Sequence, residues 1–247
     1  MNKPNYSYIG ITFILLVFGI IFIPKIINRI QHGDINRSES RSINLTLKPT
    51  SSSYLPFLIL NGKKKKIHPF KFTNQNDQVV TNEYFNGKVY LVDFFFTTCP
   101  TICPKMNKNL LEIEKSFSSR ADFGIASITI NPNYDTVEIL KKYTQSLGVT
   151  NSNWHFLTGD QELIYKFANE GFNLYAAKVD NAPGGFEHSG NFVLIDKNGF
   201  IRSRLDKFGN PKIYYNGIIS QRELVDSEGE HEEISMLKED IIKLLNE

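Results

Sequence analysis

The stretch VYLVDFFFTTCPTICP, residues Val89 to Pro104, joins a strand to a helix through two cysteines. Val89 to Phe96 is a continuous apolar run broken only by Asp93, the pattern of a central strand covered on both faces. Beyond the cysteines, Met106, Leu110, Ile113 and Phe117 recur at three and four residues, which predicts an amphipathic helix. Pro104 suits the first helical position, where its missing N–H costs nothing. That places Cys103 at the N-cap, where free N–H groups and the helix dipole stabilise a thiolate. Three residues separate Cys99 from Cys103, so the sulfurs lie near one another around the bend. They can close a disulfide or grip one soft ion. Two small buried hydrophobes is the competing reading, and the proline-flanked junction weighs against it.

Outward from this motif the pattern stays α/β. Upstream, Phe70–Thr73 and Gln78–Val80 flank a turn and read as a short hairpin. Downstream, Phe123–Ile130 is a second strand, followed by Asp135-Thr136-Val137-Glu138, a capping box opening a helix that ends at Gly148. Trp154–Leu157 is a third strand and Asp160–Asn169 a further helix. Asn191–Ile195 and Phe200–Leu205 flank Asp196-Lys197-Asn198-Gly199, a hairpin signal. Residues 206–230 give no element, and His231–Leu245 has helical periodicity. A strand leading directly into a paired-cysteine helix start, within alternating β and α, predicts a thioredoxin-like α/β domain over residues 66–247.

Ahead of it, Tyr8–Ile23 carries no charge and is almost wholly apolar, near the lower limit of about 17 residues for a spanning helix. A cleaved leader has a shorter apolar core, and no small-x-small site follows Ile23, so residues 1–27 are read as a retained transmembrane anchor. Residues 28–65 are read as linker and extension, polar and Ser-rich as far as Ser53. Lys25, Arg29, Arg37 and Arg41 on the C-terminal side would, on charge alone, hold the domain in the cytoplasm. Large domains translocate despite such charge, and the thiol chemistry argues for the outside.

Composition excludes other classes. Hydrophobic content of 41% and charged content of 22% are globular values, so wholesale disorder is excluded. A net charge of +2 gives no basis for nucleic-acid binding. The run Lys63-Lys64-Lys65-Lys66, beside Asn61-Gly62, reads as a solvated turn. Two cysteines cannot make a disulfide scaffold or a four-cysteine zinc site.

Thiolates are soft donors that select Cu(I), Zn(II) or iron–sulfur over hard cations, and two are too few for structural zinc or a cluster. A third ligand is therefore expected among five histidines. His32 lies in the tether, His231 in an acidic tail, His68 at the domain start, and His155 in a predicted strand where it reads as structural. His188 follows the glycine-rich Pro183–Glu187 and precedes the strand facing the cysteines. It completes a Cys99, Cys103, His188 site in which imidazole accommodates Cu(II) as well as Cu(I).

With these residues in place, the chain resembles the Sco (SenC/PrrC) family of copper chaperones. The likeness covers an N-terminal anchor and linker, Cys99-Pro100-x-x-Cys103-Pro104 after a Phe-rich strand, Ser127-Ile128-Thr129-Ile130-Asn131-Pro132 with Asp135-Thr136, Trp154-x-x-Leu157-Thr158-Gly159, and His188 ahead of the final hairpin. The resemblance implies copper binding by Cys99, Cys103 and His188. It further implies copper delivery, or thiol reduction, for the dinuclear copper centre of cytochrome c oxidase subunit II. An upstream copper donor and a thiol reductant are implied partners. The expected location is the inner (cytoplasmic) membrane, single-pass, with the domain facing the periplasm. Thr101 and Asn131 depart from the family's acidic residues at those places, and neither is a family ligand.

The rival is an extracytoplasmic thiol–disulfide oxidoreductase using Cys99 and Cys103 as its redox pair. Such enzymes place two residues between the cysteines and a cis-proline before the facing strand, whereas this chain has three and Ser189-Gly190. A peroxiredoxin needs a proline and a Thr or Ser where Val92 and Phe96 stand.

Overall fold

The computed structural model describes residues 12, 16–20, 23–24, 54–179, 182–206 and 209–247. The expected span over 8–23 lies largely outside the described residues, and among those described no helix is long and apolar enough to cross a membrane. The described residues from Tyr54 onward belong to one compact unit.

Its strands are β1 (Ile59–Leu60), β2 (Lys63–Lys64), β3 (Lys71–Asn74), β4 (Val79–Thr81), β5 (Val89–Phe95), β6 (Phe123–Thr129), β7 (Trp154–Thr158), β8 (Ala176–Lys178), β9 (Phe186–His188), β10 (Asn191–Ile195) and β11 (Tyr215–Asn216). The helices are α1 (Ile102–Ser116), α2 (Val137–Leu147), α3 (Gln161–Lys166, continued by a wider turn to Gly171) and α4 (Ile234–Asn246). Seven strands form one sheet in the order β11-β10-β5-β6-β7-β3-β4, with β5, β6 and β7 parallel and the outer strands antiparallel to their inner neighbours. This is the thioredoxin-like arrangement expected from the sequence. Successive βα units put α1 and α2 on one face, as right-handed crossovers require.

Neighbouring residues of β5 show why the strand is apolar throughout. Phe95 stacks on Tyr143 of α2 at 5.8 Å, while Phe94 meets Phe167 and Phe172 on the opposite face at 6.5 and 6.0 Å. Alternating side chains bury into two separate layers, so neither register tolerates water. The helix ends follow local chemistry. Gly148 closes α2 in the left-handed region at φ 72°, as its lack of a Cβ permits.

Two expectations need correction. The domain does not begin at residue 66. Leu55 and Leu58 are buried in the core, and the Arg202 guanidinium donates to the Leu55 carbonyl, with Nε at 2.8 Å. Arg202 is itself buried against Asp196 Oδ2 at 2.9 Å and reaches Glu247 Oε2 at 2.7 Å. The expected strand Phe200–Leu205 is reduced to scattered bridges, such as Ile195 with Ile201, because segment 54–67 takes its other hydrogen bonds. The edge of β10 is occupied instead by β11, from the region that gave no element.

Candidate metal centre

β5 delivers the chain into the turn that carries Cys99, and a buried carboxylate fixes that turn. The Thr97 N–H donates to Asp135 Oδ2 at 3.1 Å, and the hydroxyls of Thr97 and Thr129 donate to the same group. Asp135 was expected to cap α2. Thr136 caps it instead, its hydroxyl accepting from the Ile139 N–H at 3.4 Å. The physical reason is burial: a carboxylate removed from water must find donors, and three converge on Asp135 from the turn and from β6. Burial raises its carboxyl above the usual range while those hydrogen bonds oppose the rise.

The helix start also differs from expectation. α1 opens at Ile102 with Thr101 as its N-cap, so Cys103 and Pro104 both lie inside the first turn. Any first-turn residue lacks an intrahelical partner for its N–H, so proline is tolerated beyond the first position. The consequence is electrostatic. The free N–H of Cys103 points back to Cys99 Sγ at 3.5 Å, so the helix start stabilises Cys99 and not Cys103. Donation from the Cys103 side holds the Cys99 thiol far below its ordinary range, with His188 adding to the effect. The Cys103 thiol is pushed up by its neighbour Cys99 and by burial, with the Asp93 charge adding to the rise. Both cysteines are free thiols.

His188 arrives on a hairpin that periodicity did not announce. β9 pairs antiparallel with β8, His188 opposite Ala176. Gly184 in the connection has φ 78°, and a Cβ there would stand 2.7 Å from Phe96 Cε2. Phe186 packs on Phe96 at 5.4 Å, and the Phe96 edge meets the His188 ring at 5.9 Å. The hairpin thus rests on the end of β5, beside the cysteine turn. His188 Nδ1 lies 3.0 Å from the Ser189 carbonyl. A carbonyl only accepts, so the proton sits on Nδ1 and Nε2 presents a lone pair. That Nε2 is 3.2 Å from Cys103 Sγ.

Cys99 Sγ, Cys103 Sγ and the His188 nitrogen lie within 4.8 Å of one another, all three residues buried. Three donors at about 2.0–2.3 Å from one ion are themselves about 4 Å apart, so the set fits a single soft cation. Among the described residues no fourth histidine, cysteine or carboxylate joins them, which leaves a structural zinc site incomplete. His155 is structural: its Nδ1 is 3.1 Å from Asn74 Nδ2, and its ring meets Tyr84 edge-on at 4.4 Å. His68 is exposed beside Lys65, and His32 lies outside the described residues.

Asp93 is a residue of this centre that the sequence marked without explaining. It is buried, accepts from Ser127 Oγ at 2.6 Å, and its second oxygen has no hydrogen-bond partner among the described residues. Burial raises its carboxyl to about 7, against the pull of Ser127 and His188. Trp154 Nε1 donates to the same Ser127 hydroxyl at 3.0 Å. A lone charge in an otherwise apolar strand was the available signal.

Comparison with known proteins agrees with this geometry. The SCO1/SenC family model matches residues 60–222, more than half the chain. The SCO1 protein homolog of Bacillus subtilis is 32% identical over 157 residues, covering 63% of this chain and 80% of that protein. BsSco, described as having a disulfide switch and as a member of the Sco family of cytochrome c oxidase assembly proteins, superposes with a TM-score of 0.58 at 27% identity. The superposition covers 74% of this chain and 94% of BsSco. Copper-bound ScoI of Bradyrhizobium japonicum gives a TM-score of 0.50 at 28% identity, covering 57% and 89%. The chain is a member of the SCO1/SenC family.

Proposed function

We propose that this protein binds copper through Cys99, Cys103 and His188 and supports maturation of the dinuclear copper centre of cytochrome c oxidase subunit II. The observation that carries the reading is the convergence of two sulfurs and one imidazole nitrogen within 4.8 Å. Copper-bound ScoI and the description of BsSco as an oxidase assembly protein support the cargo and its destination. The pair must be reduced to load, because a disulfide offers no thiolate to Cu(I). A thiol reductant and an upstream copper donor are therefore part of the proposal. Copper leaves by ligand exchange, with the neutral His188 imidazole releasing before the thiolates. Tyr8–Ile23 anchors the chain in the inner membrane, residues 28–53 act as tether, and the domain faces the periplasm.

Thiol–disulfide exchange is the second reading, favoured by the opposed shifts of the two thiols. A lowered Cys99 beside a raised Cys103 is the asymmetry of an attacking and a resolving cysteine. Anaerobic copper titration of the reduced protein separates the two. One equivalent bound, and lost in Cys99→Ala, Cys103→Ala and His188→Ala, is the expected result. Disulfide reductase activity without copper binding would replace it with the oxidoreductase.

A further inference from the structure

We propose that the β1–β2 end of the domain is a membrane-docking face that lies against anionic phospholipid and holds the metal centre away from the bilayer. Asn61 and Gly62, with φ 50° and 73°, make the tight turn of the β1–β2 hairpin and display Lys63 and Lys64, with Lys66 just beyond, all exposed. These lysines do not neutralise protein carboxylates: no ion pair among the described residues involves Lys63, Lys64 or Lys66. They lie instead over aromatic rings. Lys64 Nζ is 3.7 Å from the Phe57 ring centroid and Lys66 Nζ is 5.5 Å from that of Phe200. The Phe57 and Phe200 rings meet edge-on at 5.5 Å, and the half-exposed Tyr54 adjoins Phe57 at 6.0 Å. Aromatic rings topped by lysines are the composition that sits at a lipid headgroup boundary, apolar body inward and charge at the phosphates.

The place of this face in the chain selects a membrane over an acidic protein. The inference rests on the anchor reading of Tyr8–Ile23. About 30 residues lie between that segment and Tyr54, and the chain enters the described domain at this face. The face also lies at the opposite end of the sheet from the sulfurs. The Ile67 N–H donates to the Gly199 carbonyl and the Gly87 N–H to Lys197, beside the start of β5, whereas Cys99 follows its far end. Seven residues of strand separate the two ends by about 23 Å. Docking by the lysine end would present the centre to partners projecting from the membrane.

The test uses the full chain carrying Tyr54→Trp, mixed with vesicles of phosphatidylcholine alone or with phosphatidylglycerol, each bearing brominated acyl chains. Trp154 is buried and supplies a constant background. Flotation with both vesicle types reports the anchor. Quenching of residue 54 only in the presence of phosphatidylglycerol reports docking. Lys63→Glu/Lys64→Glu/Lys66→Glu should abolish the quenching while flotation persists, since each lysine near an anionic surface is worth about fivefold in partitioning. Equal quenching with both lipids, or none with either, overturns the docking face and leaves the anchor intact; none with either assigns the lysines to an acidic protein. Failure to float on phosphatidylcholine overturns the anchor, and docking is then decided by quenching with phosphatidylglycerol alone.

Discussion

The backbone N–H of Thr97 donates to Asp135 Oδ2 at 3.1 Å, tying the turn that carries Cys99 to the segment after β6. The cysteine turn is therefore held by a group 38 residues further along the chain, and the centre depends on a contact outside the three ligands.

Asp135→Ala should destabilise the protein by about 2–3 kcal/mol, because the half-buried Thr97 and buried Thr129 donors lose their acceptor. Chemical denaturation gives the stability, and copper dissociation measured in parallel should quicken. Unchanged values in both would mean the turn holds itself.

The two thiols should alkylate at different pH. Cys99 reacts as a thiolate from acidic pH upward, whereas Cys103 stays protonated until alkaline pH. Mass spectrometry after iodoacetamide labelling across pH assigns each site. Cys103→Ala should move the Cys99 profile to higher pH, since Cys103 is the largest source of its stabilisation.

Gly184→Ala should lower copper affinity without touching a ligand. The residue sits at φ 78°, which costs an L side chain about 1–2 kcal/mol, and its new methyl would press on Phe96. The β8–β9 hairpin must then lift, drawing His188 from Cys103. Competition with a chromophoric Cu(I) chelator measures the loss, and wild-type affinity would show that the hairpin adapts elsewhere.

Arg202→Ala should cost about 3–5 kcal/mol, the range for breaking a buried ion pair from one side. It strands Asp196 and frees the carbonyl of Leu55, so segment 54–65 should become protease-sensitive.

Stability should fall as pH drops from about 6.5 towards 4, through His155. Burial lowers its folded-state value to about 4, so between those limits the unfolded chain takes up a proton that the folded one refuses. The loss approaches about 2–3 kcal/mol by the lower limit. His155→Gln should flatten this part of the profile, and an unaltered slope would place the effect on another group.

The sequence by itself determined the strand Val89–Phe96, the parallel order of βα units, the end of α2 at Gly148, and Cys99, Cys103 and His188 as candidates. These are legible because periodicity, glycine conformation and donor softness are properties of local stretches or of residue type. Tertiary structure decided what depends on partners far apart in the chain. It made Asp135 a clamp and not a cap, because its donors come from the cysteine turn and from β6. It gave the stabilised thiolate to Cys99, because donation from the Cys103 thiol is joined there by His188 from the β8–β9 hairpin. It drew residues 54–65 into the domain, because buried Arg202 needs the Leu55 carbonyl. It brought His188 within 3.2 Å of Cys103, because Phe96 offers the β8–β9 hairpin a surface to rest on. No short window of sequence contains Thr97 with Asp135, Leu55 with Arg202, or Cys103 with His188, and burial makes each pairing obligatory.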